Sequence, residues 1–370
     1  MLRALARTVV PTMIAACLAA PAAAGEPLVA VGGSQSLAVR ADGSVWVWGY
    51  SGRGDAGGGT AITRPVRVKE LHAIAAASVS SQYHFLALLR DGGVRAWGWN
   101  FFGQLGGGPG ADRVAPVAVR GLRGVIAVAA GGDFSLALGA DGTVWAWGWN
   151  QWGQLGDATT ETRLEPVRVR GVSGARAIAA GFTDSYAVDA GGSVWTWGHS
   201  YAAPGNLPRP VPERIPGLDA VTAITSGGEH ALALRADGSV MAWGLNAGGR
   251  LGDGTERMRA GPVPVRGLDA VMAIAAGRYH SLALRRDGSV WAWGGNDDGQ
   301  LGDGTVADRG MPARVPGLGK VTKIAAGGYH SLALQADGSL WSWGGNDAGQ
   351  LGDGTTAPRN RPVRVGRFRE

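Results

Sequence analysis

The sequence predicts an all-β chain folded as a seven-bladed β-propeller of four-stranded blades. Three observations carry that expectation. A Trp-Gly pair returns at Trp48, Trp97, Trp147, Trp197, Trp243, Trp293 and Trp343, in steps of 49, 50, 50, 46, 50 and 50 residues, and self-similarity at such a period marks a repeat architecture. Each copy holds four short apolar runs of strand length divided by Gly, Asp and Pro, with no helical period. Four strands per unit make a propeller blade, and a closed array of blades shares one continuous set of cores, so a single domain is expected over residues 25–370. Its repeats run approximately 29–73, 74–127, 128–177, 178–223, 224–273, 274–323 and 324–370.

Ahead of the repeats, Arg3 and Arg7 precede an apolar run over residues 9–20 and small residues at Ala22 and Ala24. That order is expected of a secretory signal peptide over residues 1–24. The alternative is a lipoprotein signal over residues 1–16, because "IAAC" resembles a bacterial lipobox with Cys17 as the lipidated residue. The run is short and Ala-rich for a membrane span. Either processing route makes the protein secreted or periplasmic. Cys17 is the only cysteine, so a processed domain would hold no disulfide. The formal charge of +6 would become +4 without Arg3 and Arg7. It is not clustered as a nucleic-acid footprint would be, and no nucleic-acid partner is expected.

Within a copy, Asp-Gly separates the second and third apolar runs at Asp42, Asp91, Asp141, Asp237, Asp287 and Asp337, and Gly191-Gly192 substitutes in the fourth. Both dipeptides suit a tight hairpin turn, which accounts for these aspartates without catalysis. The third run alternates large and small, with Trp46, Trp145, Trp195, Trp291 and Trp341 beside the seven repeat tryptophans and small residues between, so all twelve are expected in the core. The following loop, "GGNDDGQLGDGT" in one copy, is expected to close on itself, with Asn296 and Asn346 bonding to its backbone. A G-x-G-x-x-G match at Gly52, Gly54 and Gly57 opens no helix and fails the context of a dinucleotide site. Each copy then closes with a strand led by Pro65, Pro116, Pro166, Pro210, Pro262, Pro312 or Pro362, with Arg67, Arg168, Arg266 and Arg364 protecting the rim.

The pattern "GGYHSLALQADGSLWSWGGNDAGQLGDGT" resembles the repeat of the regulator of chromosome condensation family. The resemblance implies a seven-bladed propeller whose ring is closed by the two termini, one blade being completed by strands from both. It also brings the family's range of tasks. Guanine-nucleotide exchange fits poorly with an exported chain. Photoreception by tryptophans two residues before the repeat's His position is disfavoured, since that place reads Gly33, Gln82, Gly132, Phe182, Gly228, Arg278 and Gly328. A secreted bacterial propeller that covers a target enzyme with aromatic loops is the nearest precedent.

Function is sought where the copies differ. Loops are shortened in copies one and four, and a four-residue insertion is read around Ser78 to Gln82. The His position reads Gln35, His84, Phe134, Asp184, His230, His280 and His330. Neighbouring blades stand about 10 Å apart while Zn–N bonds are about 2 Å, so hydrogen bonding is expected there and no metal or other cofactor. Asp133, Asp184 and Glu229 could place carboxylates along one arc, leaving a hydrolase as a minor alternative. Tyr50, Trp99, Phe101, Phe102, Trp149, Trp152 and Tyr201 follow the Trp-Gly pairs at positions that read Leu245, Gly295, Asp297, Asp298, Gly345 and Ala348 in the last three copies. They are expected either to pack loop on loop or to form a binding patch, one arc of the ring being aromatic and the other not. The reading is a secreted, non-catalytic binding module for a protein partner. A carbohydrate or cell-wall lectin is the alternative.

Overall fold

The Trp-Gly step sets the geometry of every blade. The seven glycines have φ from +89° at Gly198 to +107° at Gly244, and at each the ladder to the outer strand shifts register. A Cβ on Gly148 would lie 2.6 Å from the Asp133 carbonyl oxygen, so the bulge that turns the chain out of the sheet requires glycine.

The computed structural model describes residues 26–50, 61–108, 110–199, 207–366 and 368. Among these, 28 strands form seven four-stranded sheets with antiparallel neighbours, spanning residues 28–68, 74–118, 125–168, 175–214, 221–264, 271–314 and 321–364. In the third blade, Val125–Ala130, Phe134–Gly139, Val144–Gly148 and Arg163–Arg168 lie side by side in chain order, inner to outer. The one described helix is a turn at Ala247–Gly249.

The hairpin aspartates act as turn formers. Oδ1 of Asp141 accepts the Thr143 amide at 2.9 Å, and Asp42, Asp91, Asp237, Asp287 and Asp337 make the same bond at 2.8–2.9 Å. In the fourth copy Asp189, two residues earlier, takes over: it accepts the Ser193 amide at 3.0 Å and the Trp195 indole at 3.0 Å.

All seven repeat tryptophans are buried between blades. Trp46 is buried too, whereas Trp145, Trp195, Trp291 and Trp341 are half-buried at the outer side, which corrects the expectation of twelve core tryptophans. The outer strands begin before their prolines: Arg163 opens the third blade's strand and Pro166 lies inside it, where the register shifts. In the fourth blade Pro212, not Pro210, holds that place, because Arg209 pairs with Gly198 as Arg163 pairs with Gly148.

Ring closure also differs from the expectation. No described blade mixes strands from both ends; the first and last blades instead meet face to face. Val29, Val31 and Ile62 share one core cluster with Leu332, Leu334 and Val365, so the two ends of the described chain do lie together. Phe368 crosses onto the first blade, its ring 5.2 Å from Trp46 and 6.5 Å from Trp48, both edge-on.

Candidate functional site

Two sets of connections share one face of the ring. The turns between the first and second strands surround the axis, joined by amide bonds such as Gly132 to the Gly181 carbonyl at 3.1 Å and Gly328 to that of Gly33 at 3.0 Å. The long loops after each Trp-Gly stand beside these turns: the amides of Trp99, Trp149 and Gly345 donate to the carbonyls of Tyr83, Asp133 and Tyr329 at 3.1, 2.9 and 2.7 Å.

The long loops close on their asparagines. Asn296 Oδ1 accepts the Leu301 amide at 2.9 Å while Nδ2 donates to the Thr305 and Ala307 carbonyls at 3.1 and 3.0 Å; Asn346 does the same with Leu351, Thr355 and Ala357. An Asp-Arg pair at the loop's end, Asp157 to Arg163 at 2.8 Å in the third blade, ties it to the outer strand.

Beneath the loops runs a repeated bridge between blades. The Gln104 carbonyl accepts both the Trp147 indole at 2.8 Å and the Ser135 hydroxyl at 2.9 Å, and Ser135 lies 3.0 Å from His84 Nε2. The hydroxyl's only hydrogen is committed to the carbonyl, so the histidine donates from Nε2 and carries no proton on Nδ1. His230 with Ser281, His280 with Ser331 and His330 with Ser36 repeat this at 2.8 Å. Burial holds His84, His280 and His330 down to about 3, and His230 well below the usual histidine value. Among the described residues no group of three or more His, Cys, Asp or Glu could hold a metal.

Three junctions lack that bridge: Phe134 stands in the histidine's place opposite Ser185, whose hydroxyl donates to the Gln154 carbonyl at 2.8 Å. Gln35 faces a blade with Phe85 in the serine's place, and Asp184 faces one with Ala231. Asp184 is buried, its Oδ2 accepting the Tyr186 hydroxyl at 2.6 Å and its Oδ1 without a partner. Burial pushes its carboxyl up to about 6. Asp133 is likewise pushed up to about 6 by burial, and Glu229 lies 3.7 Å from Arg250.

The predicted aromatic set divides. Phe101 is 75% and Trp99 39% exposed. Phe102 and Trp149 are half-buried as a pair, with ring centroids 5.6 Å apart, and Phe101 stands edge-on to Phe102 at 4.9 Å. Trp152 lies against His199 at 4.4 Å and Tyr50 against Tyr83 at 4.9 Å, both half-buried. Tyr201, the glycines at 52, 54 and 57 and most of both shortened loops lie outside the described residues. The insertion at Ser78 to Gln82 adds one residue rather than four: four residues, 80–83, separate the first two strands of its blade, against three, 131–133, in the next. It ends in Tyr83, held at φ +70°.

The other arc is not free of aromatics either. Tyr279 and Tyr329 lie tilted by 40° with ring centroids 4.9 Å apart on the same face, and the Arg250 and Arg278 guanidinium groups lie 5.4 and 5.2 Å from the Tyr279 ring. A search confined to the long loops misses Tyr83, Tyr279 and Tyr329. Their signal was the residue just before each repeat's His position.

A closed seven-bladed ring, with loops converging on one face and no convergent cluster of metal-ligating groups among its described residues, defines a repeat scaffold. The chain belongs to the Regulator of chromosome condensation (RCC1) repeat family, whose model matches residues 91–138, 141–188, 237–284, 287–334 and 337–370. A second model of the repeat matches residues 74–104, 125–154, 221–250, 272–300 and 321–350. No curated protein matches the chain. Among solved structures, human WBSCR16 is 27% identical with a TM-score of 0.74, covering 82% of this chain and 85% of that one. Prp20p of Saccharomyces cerevisiae, described with its binding properties to Gsp1p and histones, is 24% identical with a TM-score of 0.77, over 88% of this chain and 86% of its own. Yeast RCC1 (Prp20) has also been solved bound to Kap60; that chain is 22% identical with a TM-score of 0.77, covering 99% of this chain and 90% of its own.

Proposed function

We propose that this protein is a secreted, non-catalytic binding module that holds a protein partner against its loop face. Tyr50, Trp99, Phe101, Phe102, Trp149, Trp152 and Tyr201 form the contact set. The observation that carries the reading is the exposure of Phe101 and Trp99 beside the Phe102 and Trp149 rings, where the last two copies place Gly295, Asp297, Gly345 and Asp347. Large aromatics clustered at a surface are the material of protein hot spots. The protein partners named for Prp20p support a protein over a glycan as occupant. Arg3, Arg7 and the apolar run over residues 9–20 support export through a signal peptide, with lipidation of Cys17 as the alternative. Among the described residues no helix is long and apolar enough to cross a membrane.

Capture from the native extracellular or periplasmic fraction tests the reading. Wild type is expected to retain a protein that Trp99→Ala and Phe101→Ala hold at least about tenfold more weakly, with unchanged melting temperatures. Retention by both variants at wild-type strength places the contact face elsewhere. Retention of glycan, released by free sugar, supports the lectin.

A further inference from the structure

Asp133 sits in a corner that the loop face leaves chemically unfinished. Gln104 ties the corner together: its Nε2 donates to Asp133 Oδ1 at 3.2 Å and its Oε1 accepts the Phe102 amide at 2.9 Å. The Phe102 ring stands 5.6 Å from that of Trp149, whose amide donates to the Asp133 carbonyl at 2.9 Å. A largely buried carboxylate is thus joined to an aromatic pair, and among the described residues no cation faces it.

The fifth and sixth blades join a carboxylate, an aromatic ring and a cation from partly different positions. There Glu229 occupies the position of Asp133, Arg250 that of Gln154 and Tyr279 that of Thr183. The Arg250 guanidinium lies 3.7 Å from the Glu229 carboxylate and 5.4 Å from the Tyr279 ring centroid. Carboxylate, aromatic and cation are all supplied by the chain. Around Asp133 the chain supplies a carboxylate and, from two neighbouring long loops, the aromatic pair of Phe102 and Trp149, with no cation among the described residues. Burial raises the Asp133 carboxyl to about 6, the direction expected of a carboxylate without a counter-charge.

We propose that the corner of Asp133, Gln104, Phe102 and Trp149 receives the ammonium of a lysine side chain presented by the partner protein. Aromatic faces attract such cations, most strongly where water is excluded. With Oδ1 engaged by Gln104, one oxygen remains, which suits a point charge better than the two-pronged guanidinium of arginine. The inference rests on the protein-binding reading and names the anchor that reading lacks.

The test needs no partner. Nα-acetyl-lysine methylamide is titrated into the purified full domain at pH 7.5, with tryptophan fluorescence and NMR as readouts and the norleucine analogue as the uncharged control. Saturable binding of the lysine probe is expected, at least tenfold stronger than the norleucine analogue, and at least tenfold weaker in Asp133→Asn, whose melting temperature reports its folding. Val306→Ala, exposed and outside both the corner and the contact set, is expected to bind the probe as wild type does. Binding in wild type should weaken as pH falls below 6. Equal responses to the two probes, or an unaffected Asp133→Asn, overturn the proposal. So does choline binding tenfold tighter than the lysine probe, since the occupant would then be a small-molecule cation. If the probe binds as expected while capture yields no protein sensitive to Trp99, the corner stands and the protein-binding reading fails.

Discussion

His330 donates from Nε2 to the Ser36 hydroxyl at 2.8 Å, joining the last blade to the first. Ser36 passes its own hydrogen to the Gln350 carbonyl at 2.9 Å, and the Trp48 indole donates to the same oxygen at 2.9 Å. Four groups from the two end blades are thereby linked through one hydroxyl and one carbonyl oxygen. The same bridge recurs at three other junctions, which makes neutral histidine part of the ring's closure.

That arrangement fixes how stability responds to acid. His84, His280 and His330 titrate near 3 when folded and near 6.5 when free. As pH falls the unfolded chain binds protons first, so stability present above 6.5 is lost between 6.5 and about 3, by about 2 kcal/mol per histidine at pH 5. Asp133 and Asp184 act oppositely: raised from 3.8 to about 6, they favour the folded chain as pH falls through that window. They return at most about 1.4 kcal/mol each at pH 5, less than the histidines withdraw. The urea midpoint is expected to drop between pH 7 and pH 5, and to drop less in His280→Gln. A midpoint constant over that range would contradict neutral, buried histidines.

Close approach at the inner turn gives a second test. A Cβ on Gly327 would lie 2.5 Å from His330 Cε1 and 2.6 Å from the Gly32 carbonyl oxygen, whereas one on Gly107 meets nothing within 4 Å. Gly327→Ala is expected to cost about 1–3 kcal/mol by overpacking, and Gly107→Ala less than about 0.5. Equal costs, measured by denaturant titration, would mean that the inner turn gives way without strain.

Much of this could be read from the sequence because the repeat writes its constraints seven times. Trp-Gly marks a positive-φ bulge and Asp-Gly a hairpin turn. The Asn of the long loop marks its internal bonds. What was not legible depends on contacts between copies rather than within them. No periodicity says that Phe368 would cross to the first blade, or that Tyr83 would pair with Tyr50 after a single inserted residue. Nor does spacing separate Phe101, which points to solvent, from Phe102, which leans on Trp149; adjacent loop residues differ only in what the neighbouring loop covers.

Phe368 supplies the last prediction. Trp46 is 1% exposed, while its counterparts Trp145, Trp195, Trp291 and Trp341 are half-buried; the local difference is the Phe368 ring set edge-on at 5.2 Å, with the Arg40 guanidinium 5.3 Å from the same ring. Because no strand is exchanged between the end blades, this contact helps to do what a shared blade would have done. Truncating a fully buried Phe costs about 3–5 kcal/mol, and a half-buried one should cost about 1–3. Phe368→Ala is therefore expected to lower stability by that amount and Phe368→Leu by less. The loss should also be local: amide exchange should quicken in Leu28–Val31 and Val321–Ala326, where the end blades meet, more than in Val271–Ala276. Exchange that quickens equally in all three strands would show that the ring opens as one unit and that Phe368 adds only general burial.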